Sequence, residues 1–205
     1  TGKSTLTLGS NTELCNFCDI AKCKEKSTLI IDGAYLHHNS GELFVDGFAN
    51  TRFKLDSTLR IISGEIAYNR SMHFGLVRSG HFIMEGGSIH HNATDKASLI
   101  NIFVKGEISG GEIHDNVAYS TIQCVDAAFT MTGGDIYANR GISTGGIQIY
   151  GDYIRQGEQG RFVMKSGSIH DNTLYLNDSW YGNGRAAALN LWVSHWATAD
   201  ISGGS

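Results

Sequence analysis

FIMEGGSIHHN, residues 82–92, is the stretch that decides the fold, because its pattern returns three more times in full. The other copies are GEISGGEIHDN (106–116), FTMTGGDIYAN (129–139) and FVMKSGSIHDN (162–172). Units that repeat at a fixed period stack on their neighbours and share one continuous core. The architecture of the chain is therefore inferred from the architecture of one unit.

Weaker copies of the unit lie nearer the ends of the chain. They are LIIDGAYLHHN (29–39), LRIISGEIAYN (59–69) and ADISGGS (199–205), the last of which stops before its asparagine. Successive closing asparagines are 30, 23, 24, 23 and 33 residues apart, so the base period is 23 to 24 residues and the longer units carry insertions.

The asparagine that closes each unit is expected to be structural. Asn side chains bond to backbone groups at turns and tolerate unusual backbone angles, and stacked amides pair with one another. A residue present in every full unit is not a localised site, so we predict a hydrogen-bonded asparagine ladder. Its members are Asn39, Asn69, Asn92, Asn116, Asn139 and Asn172.

Each unit contains strands separated by a bend. Apolar residues alternate before the glycines, as at Phe82 and Met84, and this period of two is typical of a strand with one buried face. The separation of Met84 from Ile89 is odd, so both side chains point inward only if the chain bends between them. Gly86 and Gly87 supply that bend because glycine accepts backbone angles closed to other residues. A second alternating apolar pair follows the closing asparagine, as at Ile100 and Ile102, and Ile89 to His91 form a short third strand.

Three short strands in a unit of about 23 residues are typical of one coil of a right-handed parallel β-helix. The alternating pattern and the paired small residues argue against a helical solenoid. We therefore predict an all-β solenoid of roughly eight coils. It forms one domain over residues 1–205, a fragment of a longer repeat protein, with inserted loops at 46–57, 150–161 and 173–187.

The core of this solenoid is predicted from equivalent positions in successive units. Cys124 takes the inward position held by Ile102 and Ile149 in neighbouring units, so we expect a small core residue there rather than a reactive thiol. An inward aliphatic column follows the bend, at Ile66, Ile89, Ile113, Ile136 and Ile169.

Composition narrows the classes of function. With 41% hydrophobic and 18% charged residues the chain is folded rather than disordered. A net charge of −4 without a basic run gives no footprint for nucleic acid or anionic lipid, and we expect neither partner. No apolar stretch is long enough to span a bilayer, and no signal peptide opens the chain.

The unit F-x-M-x-G-G-x-I-x-x-N resembles the β-helix repeats of adhesin-like surface proteins of bacteria and archaea, within the pectate-lyase-like superfamily of folds. It is also similar to the Gly-Gly repeats of polymorphic outer-membrane proteins. The resemblance implies an extracellular or cell-surface scaffold that binds glycan or protein ligands through inserted loops. Since the same fold hosts polysaccharide lyases and glycoside hydrolases, an enzyme of that type is the alternative.

The aromatic residues of the last inserted loop are the candidate binding site. Exposed aromatic rings stack on sugars or anchor a protein partner, and neighbouring polar groups orient the ligand. The opposing interpretation is that these rings form a small satellite core or contact a further coil, and both remain open. The candidate residues are Trp180, Tyr181, Trp192, Trp196, Arg185 and Asp178.

Histidines recur two places before the closing asparagine, at His37, His90, His114 and His170. They are expected to point outward as an exposed stripe beside carboxylates at Glu65, Glu112, Asp115, Asp135 and Asp171. Imidazoles and carboxylates on adjacent coils are able to hold a divalent metal. Because Ala67 and Tyr137 interrupt the column, a solvated face is favoured, and no metal site, cofactor or catalytic residue is predicted.

Loop charges and cysteines complete the candidates. The enzyme alternative would draw on charged residues of the inserted loops, namely Asp152, Arg155, Glu158, Arg161, Asp178 and Arg185.

Cys15, Cys18 and Cys23 lack the fourth ligand of a zinc site, so a disulfide of unassigned pairing is favoured, with one thiol left over. The unfinished unit at 199–205 suggests end-to-end self-association.

Overall fold

The computed structural model describes residues 3–23, 26–46, 56–72, 74–151, 160–174, 186–192 and 197–205. These residues form β-strands, and none of them belongs to a helix able to cross a lipid bilayer. The strands are β1 (Thr5–Gly9), β2 (Glu13–Cys15), β3 (Ala21–Cys23), β4 (Thr28–His37), β5 (Phe44–Asp46), β6 (Thr58–Ala67), β7 (Arg70–Ser71), β8 (Val77–Met84), β9 (Ser88–His90), β10 (Ala93–Thr94), β11 (Ile100–Ile108), β12 (Glu112–His114), β13 (Val117–Val125), β14 (Ala128–Tyr137), β15 (Arg140–Tyr150), β16 (Arg161–His170), β17 (Thr173–Leu174), β18 (Leu189–Trp192) and β19 (Thr198–Ile201).

Every pairing between these strands is parallel. The register joins equivalent positions of successive sequence units, as Ile113 shows by pairing with Ile89 on one side and Ile136 on the other. The repeat therefore sets the pairing: similar residues from neighbouring units lie side by side.

The inward positions predicted from alternation are buried. Phe82 and Met84 of β8 have no exposed surface, and the same holds for Phe129 and Met131 of β14. Cys124 is also fully buried, which confirms it as a core residue, and burial raises the pKa of its thiol well above the usual range. In the aliphatic column Ile66, Ile89, Ile113 and Ile136 are buried, while Ile169 is only partly so.

Glycines bend the chain between the two inward-facing segments. β8 ends at Met84 and β9 begins at Ser88, and between them Gly87 has a φ of 78°. The next unit bends in the same way at Gly111, with a φ of 86°. The bend predicted from the odd spacing is confirmed, because L side chains rarely adopt this backbone conformation.

Six strands close a barrel-like ring, in the order β6, β8, β11, β14, β12, β9 and back to β6. The ring closes because β6 and β14 each run unbroken through their bend, and each pairs with two strands of the adjacent unit. The described part of the chain is thus all-β with parallel strands, as predicted.

Candidate functional site

The six predicted asparagines form one hydrogen-bonded column inside the fold. Asn116 has no exposed surface, and its Nδ2 donates to Asn139 Oδ1 at 2.9 Å and to Ile89 O at 2.9 Å. Its Oδ1 in turn accepts hydrogen bonds from the backbone N and the Nδ2 of Asn92, both at 3.0 Å. The same side-chain contact joins Asn39 to Asn69, Asn69 to Asn92 and Asn139 to Asn172. These side chains are therefore hydrogen-bonded within the fold, where they satisfy buried backbone groups.

Two residues before five of the six asparagines, an aromatic or imidazole ring lies on the outer surface, while Ala67 takes this place before Asn69. We call His37, His90, His114, Tyr137 and His170 the ring stripe. Centroids of neighbouring rings lie 4.9 Å apart from His90 to His114, 4.8 Å from His114 to Tyr137 and 5.3 Å from Tyr137 to His170. Parallel pairing sets this spacing, and stacking covers the ring faces, so only 16% of the His114 side chain is exposed. The stripe points outward, but it is more covered than the solvated face that was expected.

The residue after each histidine holds the ring in place. Nδ1 of His114 lies 2.8 Å from Asp115 Oδ2, and Nδ1 of His170 lies 2.8 Å from Asp171 Oδ2. Asp115 and Asp171 both have a φ of 51°, which folds their side chains back toward the ring. The residue that follows each of these histidines therefore fixes the orientation of the imidazole.

Carboxylates meet the opposite edge of several rings. Glu65 Oε1 lies 2.9 Å from Nε2 of His90, while the hydroxyl of Tyr137 donates to Glu112 Oε2 at 3.1 Å. Desolvation, followed by this hydrogen bond to Glu112, raises the pKa of Tyr137. The phenol thus stays protonated at neutral pH and remains a hydrogen-bond donor.

A shallow groove follows the glycine bends beside the ring stripe. Its floor includes Gly33, Gly64 and Gly87, and Tyr35, Glu65, Ser88 and His90 line it. A Cβ on Gly64 would lie 2.5 Å from the carbonyl oxygen of Ala34, so the close stacking of the bends excludes side chains there. The carboxylate of Glu65 and the imidazole of His90 therefore lie along a solvent-open groove.

Next to His37, the first residue of the ring stripe, lies Cys15, which pairs with His37 in the strand register. One ligand atom each from Glu13, Cys15 and His37 lies within 4.8 Å of the others, so this corner of the stripe is able to hold a metal ion. The sequence reasoning missed Glu13 and Cys15 as members of the stripe. One feature of the sequence could have indicated this contact, namely the tetrapeptide KSTL, which occurs at residues 3–6 and again at 26–29. If the two copies are aligned and the alignment is continued along the chain, Cys15 falls within one residue of His37.

The predicted disulfide is not formed. Cys15 and Cys18 are both free thiols, and any pairing among the three neighbouring cysteines uses at least one of them. The physical reason is direction: Cys15 ends β2 beside Glu13 and His37, whereas Cys18 Sγ lies 3.9 Å from Ser40 Oγ in the following turn.

A second open depression carries mixed charge. It is lined by Lys26, Asp56, His81, Lys105 and Glu107 among others. Nε2 of His81 lies 3.3 Å from Asp56 Oδ1, and Nζ of Lys26 lies 3.7 Å from Asp56 Oδ2. Lys105 and Glu107 form a close ion pair. Acidic, basic and imidazole groups therefore meet on one surface, to which the inserted loop 46–57 contributes Asp56.

The predicted aromatic site lies mostly outside the described residues, since Trp180, Tyr181, Arg185, Asp178 and Trp196 belong to undescribed stretches. Trp192 ends β18, where its backbone pairs with Tyr150. The loop residues Asp152, Arg155 and Glu158 also fall outside, while Arg161 begins β16.

No family model, no curated protein and no solved structure compared with this chain matches it.

Proposed function

We propose that the chain is a right-handed parallel β-helix that serves as the scaffold of an adhesin-like surface or secreted protein. In this proposal, glycan or protein ligands bind to the inserted loops. The all-parallel pairing of equivalent positions supports the β-helix, because stacked coils require that register. The six-strand ring is then a consequence of strands that run through their bends.

One observation carries the scaffold role. The buried asparagine, the glycine bend and the inward aliphatic residue recur together in successive units, as at Asn92, Gly87 and Ile89 and again at Asn116, Gly111 and Ile113. Side chains repeated in this way stabilise the stack, and stacking is the same on every coil. Ligand recognition is then left to places where the repeat is interrupted.

The test is a glycan array, followed by titration of any hit. The double variant Trp180→Ala and Tyr181→Ala is compared with wild type, and Phe74→Ala is the matched control because Phe74 is an exposed aromatic residue outside the loop. We expect binding to be lost in the double variant and kept in the control, with circular dichroism unchanged. Binding retained by the double variant would remove the loop from the site.

The mixed-charge depression favours the second candidate, a polysaccharide lyase or hydrolase. Such enzymes need an acid, a base and a charge-stabilising group at one place, and Asp56, His81 and Lys26 come together there. Incubation with acidic and neutral polysaccharides, followed by measurement of new reducing ends and unsaturated products, tests it. Activity that is abolished by His81→Ala supports the enzyme, and absence of products from every substrate class contradicts it.

A further inference from the structure

Three side chains with metal-binding atoms lie together at His37, the first residue of the ring stripe. Glu13 and Cys15 are alternate residues of β2, so their side chains leave the strand on the same face. Parallel pairing with β4 brings Cys15 next to His37. As a result, a carboxylate oxygen, a thiol sulfur and an imidazole nitrogen all lie within 4.8 Å of one another.

His37 is oriented on all sides. Its Nε2 lies 2.7 Å from Glu13 Oε1, its Nδ1 lies 2.7 Å from Nδ1 of His38, and its ring stacks on Tyr35 with centroids 4.0 Å apart. A proton on Nε2 accounts for the short contact with Glu13, and a metal ion takes the place of that proton when the ring proton moves to Nδ1 and is donated to His38. Imidazoles that bind metals are held in this way, with the second nitrogen bonded to an outer partner.

We propose that Glu13, Cys15 and His37 bind one Zn²⁺ ion. Thiolate sulfur, imidazole nitrogen and carboxylate oxygen are the three ligand types that zinc takes in proteins, whereas calcium and magnesium prefer oxygen alone. A thiolate and a carboxylate together balance the charge of the ion. Three protein ligands leave the fourth tetrahedral position to water.

The chain contains a second copy of this arrangement without the thiol. Glu65 Oε1 lies 2.9 Å from Nε2 of His90, and Nδ1 of His90 lies 2.8 Å from Nδ1 of His91. Ala67 pairs with His90 as Cys15 pairs with His37, so Ala67 holds the equivalent position. Each of the two groups contains one carboxylate and two imidazoles, and only the first group also contains a thiol. A difference in zinc affinity between them therefore measures the contribution of the cysteine.

The experiment titrates the reduced protein with Zn²⁺ against a competing chelator, and with Co²⁺ as a spectroscopic substitute. We expect one equivalent bound, with a thiolate-to-cobalt charge-transfer band in the near ultraviolet. Because loss of an outer partner alone costs about 10- to 100-fold in affinity, Cys15→Ser and His37→Ala should each weaken zinc binding by about 100-fold or more. Both variants should lose the charge-transfer band, and His90→Ala should behave as wild type.

Thiol alkylation gives an independent readout. Zinc should slow modification of Cys15 by iodoacetamide, mapped by mass spectrometry, while Cys18 reacts at the same rate with and without the ion. Cys15→Ser is nearly isosteric, so it also keeps the test valid if His37→Ala fails to fold. Wild-type zinc affinity in Cys15→Ser, or equal loss in His90→Ala, would overturn the proposal, as would the absence of zinc binding by wild type at micromolar concentrations.

Discussion

Asn116 illustrates what one buried amide does in this fold. Its side chain donates to the carbonyl oxygens of Ile89 and His114 and to Asn139, and it accepts from Asn92. Replacement by alanine leaves these buried groups without partners, and we expect the free energy of unfolding to fall by about 1 to 3 kcal/mol. Chemical denaturation measures the change, with Asn11→Ala at an exposed turn as the control. Equal stabilities for the two variants would contradict the structural role of the column.

Glu42 is a partly buried carboxylate, with 15% of its side chain exposed, and it weakens the fold when it is ionised. Its Oε1 has no hydrogen-bond partner, and the nearest cation, Arg78 Nη1, lies 3.9 Å away. Desolvation raises the pKa of Glu42, an effect that Arg78 opposes and Asp19 reinforces. Because the folded state has the higher pKa, it binds the proton more tightly than the unfolded state. This contribution to stability is present at low pH and is lost as the pH rises through the folded pKa.

The variant Glu42→Gln separates the charge from the shape of this side chain. It should be more stable than wild type at pH 7, and the difference should shrink below about pH 4, where the wild-type carboxyl is protonated. Thermal unfolding at both pH values measures it, with Glu107→Gln at a more exposed carboxylate as the control. A stability difference that does not change with pH would show that Glu42 acts through packing alone.

The sequence predicted the asparagine column and the outward direction of the histidines, because both follow from position in the unit. It did not predict that Cys15 and Glu13 join His37. Those contacts depend on the register between β2 and β4, and the first unit lacks the Gly-Gly and Asn signals that set the register elsewhere. Phe17 takes the place of the asparagine there, and its backbone N donates to Asn39 Oδ1 at 2.9 Å.

At the scale of the element, each unit changes direction at a glycine with a positive φ. Gly111 has a φ of 86°, and a Cβ at this position would lie 2.7 Å from Met84 Cε and 2.8 Å from the carbonyl oxygen of Gly86. Gly111→Ala therefore combines backbone strain with a steric clash, and we expect a loss of about 1 to 3 kcal/mol in the free energy of unfolding. The odd spacing across the bend made this feature predictable. The continuation of β6 and β14 through their bends was not predictable, because the same Gly-Gly pair that lies within β14 separates β8 from β9.

Gly9→Ala is the matched control for the bend. The nearest atom to a Cβ at Gly9 is the carbonyl oxygen of Asp32 at 3.9 Å, which is an ordinary contact. We expect its stability to stay within about 0.5 kcal/mol of wild type. If urea denaturation gave Gly9→Ala and Gly111→Ala the same midpoint, the bend would not depend on glycine.

At the scale of the whole molecule, the β-helix and a closed barrel differ in how they respond to loss of a complete unit. Removal of residues 93–116 deletes β10, β11 and β12 and joins Asn92 directly to Val117. In a β-helix, Val117 then takes the place of Ala93 beside Arg70, since both occupy the same position in the repeat. In a closed barrel the same deletion removes two of the six strands of the ring, and the ring cannot close.

If the chain is the proposed β-helix, the deletion of residues 93–116 should leave a folded chain with a β-type circular dichroism spectrum and a single cooperative thermal transition at a lower Tm. Stability in stacked repeats is close to a sum over units and their interfaces, so loss of one unit weakens the stack without destroying it. Deletion of residues 105–116 is the control, because it removes part of a unit and brings non-equivalent positions together. That variant should lose cooperative unfolding. If the deletion of 93–116 also unfolded, while point variants of β11 and β12 stayed folded, the ring and not the stack would be the unit of stability.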